Sequence, residues 1–232
     1  MPRPCCQVGR PALFLLLFII VLPMPASRTP GQTPDTIELP EPSLQSDTSV
    51  EMALQQRRSV REYSPAELTL AEVAQLLWAA QGVTHPEGRR TAPSGGALYP
   101  LETYLAAGDV AGLSAGVYRY LPALHALERV TAGDRRTELS RAALGQSPVW
   151  QAPAGIILAA VYPRITGKYG QRGITYAHIE AGAAAQNLAL QAVSLGLGTV
   201  CMGAFQDSAV VRALGLPEDQ VPLLILPVGH VE

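Results

Sequence analysis

The sequence predicts a domain of the α+β class, and three observations carry that expectation. Helix-period and short strand-period segments follow one another without the regular βαβ alternation of a doubly wound sheet. One helix, from Leu70, is marked at both ends by its own capping residues. Residues 155–162 (GIILAAVY) form an apolar run of strand length, as expected of a strand covered on both faces.

The first helix is placed at 49–58, with Val50, Ala53 and Leu54 on one face and Thr48 or Ser49 as cap. In the second, Thr69 and Glu72 have capping-box spacing, Leu70, Val73, Leu76 and Leu77 form the apolar stripe, and Gly82 ends it. Strands are expected at 103–107, 117–121 and 126–130, the last two as a hairpin. Asp134 is placed to cap a helix through Leu144. The longest helix is expected over 175–195, where abundant alanine suits a closely packed central position. A strand at 197–202, a helix capped by Asp207 and an apolar strand at 222–228 complete the order.

Bulk properties exclude several classes. Of the 232 residues, 48% are hydrophobic and 16% charged, enough apolar material for a core and too little charge for a disordered chain. Seventeen basic residues against 19 acidic leave no surplus to suggest nucleic acid as a partner. The amino-terminal segment differs from the rest. Arg3 and Arg10 precede eleven apolar residues, Ala12 to Leu22, and then Pro23–Ser27, the layout of a Sec-type signal over residues 1–26 that exports the protein. The apolar run is short for a membrane span, so no stable span is expected once the signal is removed; an uncleaved anchor is the alternative. Residues 27–48, rich in Pro, Ser, Thr and Asp, read as a flexible linker, and 49–232 as the folded domain. Cleavage would leave Cys201 as the lone cysteine, without a disulfide or metal-ligand partner, and better suited to the core than to nucleophilic chemistry.

Four constellations bear on chemistry. Arg57, Arg58, Ser59 and Arg61 gather three guanidiniums and a hydroxyl at a helix end, suited either to phosphate or to complementing the helix dipole. Ser94, Gly95 and Gly96 form either a plain turn or a loop that lets a flat ligand approach the backbone. Gly203 and Ala204 present small residues after the Gly196–Gly198 turn. Lys168 and Tyr169, near Arg164 and Arg172, are either a solvated basic loop or a proton-transfer pair. His85, His125, His178 and His230 show no ligand spacing, and His178 and Glu180, two apart on a helix, diverge.

Taken together, RRSVREY (57–63), LLWAAQG (76–82), RTAPSGGALYPLETY (90–104), GVYRY (116–120), KYGQRGITYAHIEAGAAAQNLALQA (168–192), LGLGT (195–199) and LPVG (226–229) resemble the nitroreductase superfamily over nearly all of residues 49–232, and within it the SagB/ThcOx-type dehydrogenases of peptide azolines. The resemblance implies a central antiparallel sheet flanked by helices and an intertwined homodimer with FMN at its interface. It places Arg57, Ser59 and Arg61, with Arg58 beside them, at the flavin phosphate and ribityl chain, Ser94–Gly96 beside the isoalloxazine ring, and Gly203 and Ala204 at its N5 edge. Lys168 and Tyr169 match the pair that removes a proton from azolines. Many relatives continue beyond the equivalent of Glu232 to a Lys or Arg, so phosphate binding here is expected to rest more on residues 57–61. Export makes a nicotinamide-fed reductase less natural than a dehydrogenase of small or peptidic heterocycles. A general NAD(P)H-linked nitroreductase and a non-catalytic flavin-binding protein are the alternatives.

Overall fold

A seven-stranded antiparallel sheet runs through the domain in the computed structural model, which describes Met1 and residues 36–231. The strands are β1 (Thr36–Glu38), β2 (Leu101–Ala107), β3 (Gly116–Leu121), β4 (Ala126–Ala132), β5 (Ala154–Ala160), β6 (Leu197–Thr199) and β7 (Val221–His230), ordered β1-β4-β3-β2-β5-β7-β6. The helices are α1 (Val50–Gln56), α2 (Leu70–Gln81), α3 (Arg136–Ala142), α4 (Ser147–Gln151), α5 (Pro163–Tyr169), α6 (Arg172–Ser194) and α7 (Asp207–Leu214). The proposed signal beyond Met1 and the start of the proposed linker lie outside the described residues.

Strand β5 is buried along its whole length because the sheet is covered on both faces. Its side chains alternate as a pleat requires. Ile156 and Leu158 join a core with α2 and α6, while Ile157 and Ala159 join a second core with α3 and α7. Helix α6 crosses the first face on Ala177, Ala181, Ala184, Ala185 and Ala192, side chains short enough to let a 23-residue helix lie close to its neighbours. At the α5–α6 corner, Gly173 packs so tightly that a Cβ there would lie 3.0 Å from the Ile165 backbone.

The capping box of α2 forms as expected. Thr69 Oγ1 accepts from Glu72 N at 3.2 Å, and Glu72 Oε2 accepts from Thr69 N at 2.7 Å. Ser49 is the N-cap of α1, and Asp134 Oδ1 accepts from Arg136 N at 3.0 Å at the start of α3. The β3–β4 pair is antiparallel with one irregularity at Val117/Tyr118.

Several expectations need correction. The linker does not extend to residue 48: β1 pairs with β4, Leu39 is buried, and Ser43 N donates to Gln75 Oε1 at 2.8 Å, so the folded part begins before Ser49. The stretch 163–169 is a helix, started by Pro163, and not a basic loop. Helix α4, with Pro148 in its first turn, was unexpected. Val50 and Leu54, placed on the inner face of α1, are more than half exposed; of the three apolar residues only Ala53 is buried. Cys201 is exposed, because Val200 and Met202 on either side take the inward positions of an extended segment.

Candidate functional site

The sites expected from the sequence separate into two clusters, at opposite ends of α6. The first gathers around its amino-terminal turns. The loop from Ser94 to Tyr99 turns back on itself through positive φ at Gly96 (64°), Ala97 (55°) and Tyr99 (45°). Two of these three are not glycine, a conformation that needs support from the surroundings. Part of it comes from Ser94, whose Oγ accepts from Tyr99 N at 2.9 Å. Arg90 adds more, stacking its guanidinium 4.4 Å from the Tyr99 ring centre while donating to Gln81 Oε1 at 2.8 Å.

The α5–α6 corner closes onto this loop. A Cβ on Gly96 would sit 2.7 Å from Tyr169 Oη and 3.1 Å from Lys168 Nζ, so the amine and the phenol both converge on the glycine backbone. A Cβ on Gly95 would meet Ile165 and Tyr176 at 3.4 and 3.5 Å. Tyr169 and Tyr176 meet edge to face with centroids 5.1 Å apart, which fixes the phenol by packing. The predicted pair Lys168–Tyr169 and the predicted loop Ser94–Gly96 thus form one site.

Beneath the loop lies a residue that sequence reasoning passed over. Glu180 is 2% exposed, and neither carboxyl oxygen has a hydrogen-bond partner. Burial pushes its pKa up to about 7; the Ser94 hydroxyl and the Arg90 guanidinium offset that only in part. Ser94 is close enough to exert this pull but falls short of a formed hydrogen bond. Its signal was positional: Glu180 falls between Ala177 and Ala181, in phase with the buried stripe of α6. His178 does diverge from it, reaching Tyr162 Oη with its Nε2 at 2.7 Å.

The second cluster lies past the carboxyl end of α6. Ser59 bridges Thr199 in parallel, and Val60 N donates to Thr199 O at 3.0 Å, so the Arg57–Arg61 segment runs along the β6 edge. Although Cys201 is exposed, the chain packed around one side of its thiol desolvates it enough to raise its pKa, and the Arg57 guanidinium partly offsets this, which sets Arg57 near the chain leading to Gly203 and Ala204. Both of those are exposed, and a Cβ on Gly203 would meet open space. Ala204 O accepts from Gln146 Nε2 at 2.9 Å. The other guanidiniums are arranged differently. Arg58 donates to Gln55 O and Arg57 O, both at 2.8 Å, closing the end of α1. Arg61 lines a groove of about 980 Å³ with Tyr63, Arg136 and Trp150. Among the described residues no His/Cys/Asp/Glu group has the makings of a metal site, and no helix is long and apolar enough to cross a membrane.

The sequence profile of the nitroreductase family matches residues 54–230. A protein of Methanocaldococcus jannaschii described as a nitroreductase is 46% identical over 196 residues, covering 84% of this chain and 98% of its own length. The Microcin B17-processing protein McbC of Escherichia coli is 32% identical over 62% of this chain, and the NADPH-flavin oxidoreductase of Vibrio harveyi 32% over 52%. The matches span about half the length of these two, 55% and 53%. Among solved structures, a nitroreductase-like protein of Ralstonia eutropha superposes with a TM-score of 0.74 at 30% identity, over 90% of this chain and 99% of that one.

Proposed function

This chain belongs to the nitroreductase family of oxidoreductases, and from that premise we propose that it is an FMN-dependent dehydrogenase of azoline-like or other small heterocyclic or peptidic substrates. The observation that carries the reading is the convergence of Lys168 Nζ and Tyr169 Oη on the backbone of Gly96. A flavin-binding protein without turnover has no use for an amine and a phenol packed against the ring-binding loop.

The residues present fit a flavin mononucleotide. Arg57 and Ser59 offer a guanidinium and a hydroxyl for its phosphate, with Arg58 and Arg61 adding positive charge nearby. Ser94–Gly96 offers backbone free of side-chain bulk for a flat ring, and Gly203 and Ala204 offer a second open stretch of chain. When bound, FMN supplies a two-electron acceptor that takes a hydride from carbon. Lys168 and Tyr169 take the proton lost from the neighbouring atom, so the ring gains a double bond and gives up one hydride and one proton. Tyr176 packs edge to face on Tyr169, and Tyr176 and Ile165 both close on Gly95 of the same loop.

The separation of the clusters supports a homodimer. At 1.5 Å per residue, roughly 28 Å of helix lies between Tyr176 and Leu195, longer than an extended FMN. On this reading one flavin draws on two chains, with the phosphate grip of one protomer facing the Lys168–Tyr169 corner of its partner. Val50, Met52 and Leu54 on α1 and Ile179 on α6, all more than 45% exposed, supply apolar surface for such a contact. The amino-terminal layout supports export to an extracytoplasmic compartment. The NADPH-flavin oxidoreductase relative favours a second reading, a nicotinamide-fed nitroreductase.

The test is the absorbance spectrum of the purified protein after incubation with FMN and desalting, followed by turnover assays. The proposal expects retained flavin bands in the wild type, in Lys168→Ala and in Tyr169→Phe, with azoline oxidation reduced at least about 100-fold in both variants. Unchanged turnover in the variants removes the base assignment. Nitroaromatic reduction with NAD(P)H, without azoline oxidation, selects the second reading.

A further inference from the structure

The sheet forks beside the candidate site. Strands β2 and β3 pair from Ala107 and Gly116 only as far as Tyr104 and Arg119, yet both run on. Leu101–Thr103 stay paired with β5 on one side, and Tyr120 and Leu121 with β4 on the other. Between the parted ends lies a cavity of about 380 Å³, a size that suits a small ligand. Its walls carry Arg90, Arg119 and Arg164. Arg119 is committed to Glu128 Oε2, to which its Nε and Nη2 donate at 2.9 and 2.6 Å, and Arg164 to Glu102. Among the described residues Arg90 has no carboxylate within ion-pair distance; its hydrogen bond goes to the neutral Gln81 and its flat face rests on Tyr99. Three guanidiniums thus face two carboxylates. Burial pulls the Arg90 pKa below its usual range, which the more distant Glu180 and Glu102 offset only in part. Thr103, 2% exposed, lines the same cavity, and its hydroxyl has no hydrogen-bond partner. A buried hydroxyl left alone is costly, and a ligand that accepts from it removes the cost. One lip of the cavity is apolar and ends in Leu124, which is 68% exposed. Arg164 stands four residues before Lys168 on α5, so the two share a face about 6 Å apart along the helix axis.

We propose that the fork between β2 and β3 is a carboxylate subsite, in which Arg90 pairs with the acid group of the substrate and Thr103 donates a second hydrogen bond. A carboxylate is planar, and its two oxygens match the guanidinium fork. Its single negative charge balances the one surplus cation. The apolar lip receives the carbon skeleton next to the acid group. The position of Arg164 one helical turn from Lys168 keeps the anchored acid close to the proposed base. For turnover the subsite rests on the proposed function and narrows it, to azoline-like or peptidic substrates that carry a free carboxylate. Binding of the carboxylate itself requires no flavin.

The experiment titrates the full chain by calorimetry, without FMN, with two pairs of probes: a thiazoline carboxylic acid and its primary amide, and a tripeptide with a free and with an amidated carboxyl end. At least one acid is expected to bind at least about tenfold tighter than its amide, the worth of a charge-assisted hydrogen bond. The pair that shows the preference tells a small heterocyclic acid from a peptide end. Arg90→Gln should erase the preference, and Thr103→Val should weaken the acid about fivefold. Because Arg90 also braces Tyr99, Leu124→Asp serves as a second variant. It sets a like charge on the exposed lip and should weaken the acid about threefold or more while leaving the amide unchanged. Equal affinity for acid and amide in both pairs, no saturable binding of either acid, or a preference that survives in folded Arg90→Gln overturns the proposal. Should Arg90→Gln not fold, an acid preference unchanged in Leu124→Asp overturns it instead. A protein that binds an acid but retains no FMN loses the flavin reading and keeps the subsite; one that retains FMN without preferring either acid keeps the flavin reading and loses the subsite.

Discussion

The two ends of α6 carry the two halves of the candidate site and are built in opposite ways. At the amino-terminal end a strained loop, two tyrosines, a lysine and a buried carboxyl are packed against one another with ångström tolerances. At the carboxyl-terminal end guanidiniums and small residues line an exposed edge, and a side chain added at Gly203 meets nothing within 4 Å. The difference suits the tasks proposed for the two ends. Proton removal needs a base held at a fixed distance, which packing and second contacts supply. Gripping a phosphate needs charge and free donors, which remain open until the anion arrives.

The largest effect expected from this contrast is on stability at the packed end. The Glu180 carboxyl has a folded-state pKa of about 7 against the ordinary value of 4.5. As pH rises from about 4.5, the unfolded chain ionises while the folded one stays protonated, so stability falls across this window and levels off above about 7. The loss is on the order of 3 kcal/mol. Glu180→Gln has no such group, so denaturant unfolding at pH 5 and pH 8 should show the variant gaining on the wild type at the higher pH. Equal pH dependence in both proteins contradicts the buried carboxyl.

Two glycines sharpen the contrast further. Gly96→Ala places a methyl group against Tyr169 Oη at a φ of 64° and is expected to destabilise by about 1–2 kcal/mol. Gly203→Ala, facing open space, should stay within about 0.5 kcal/mol. Thermal melts of the two variants compare the ends directly. The smallest effect on folding is expected among the guanidiniums. Arg57→Ala should leave the melting temperature unchanged while weakening FMN about tenfold. Arg58→Ala, whose side chain closes α1, should weaken FMN less than Arg57→Ala does. Equal losses in titrations of the two variants would mean that the segment acts only through its net charge.

Much of the fold was legible because its signals are local. The Thr69/Glu72 box, the alanine stripe of α6 and the apolar run of β5 each announce their element within a few residues. What escaped depends on distant partners. Strand β1 has three residues, and only its pairing with β4 makes it a strand. Helices α4 and α5 span five and seven residues, too short for a periodic stripe, and only Pro148 and Pro163 marked their starts. Within the site, the residues of the two loops and the Lys168–Tyr169 pair could be read as motifs. Their division into two clusters could not, since it depends on the length and path of α6. Glu180 escaped for the same reason: its importance lies in being buried, which is a property of the packed structure.

On the proposed reading one flavin site is assembled from the two ends of α6 in two different chains, and subunit complementation tests this most directly. Arg57→Ala/Arg61→Ala breaks the phosphate end and Gly96→Val the ring end, so each variant alone should lose FMN. Co-expressed, they should form mixed dimers in which one site draws both intact halves, and the pool should regain about one flavin per four chains by random pairing. A pool that stays colourless although mixed dimers form would contradict the account and return the site to a single chain.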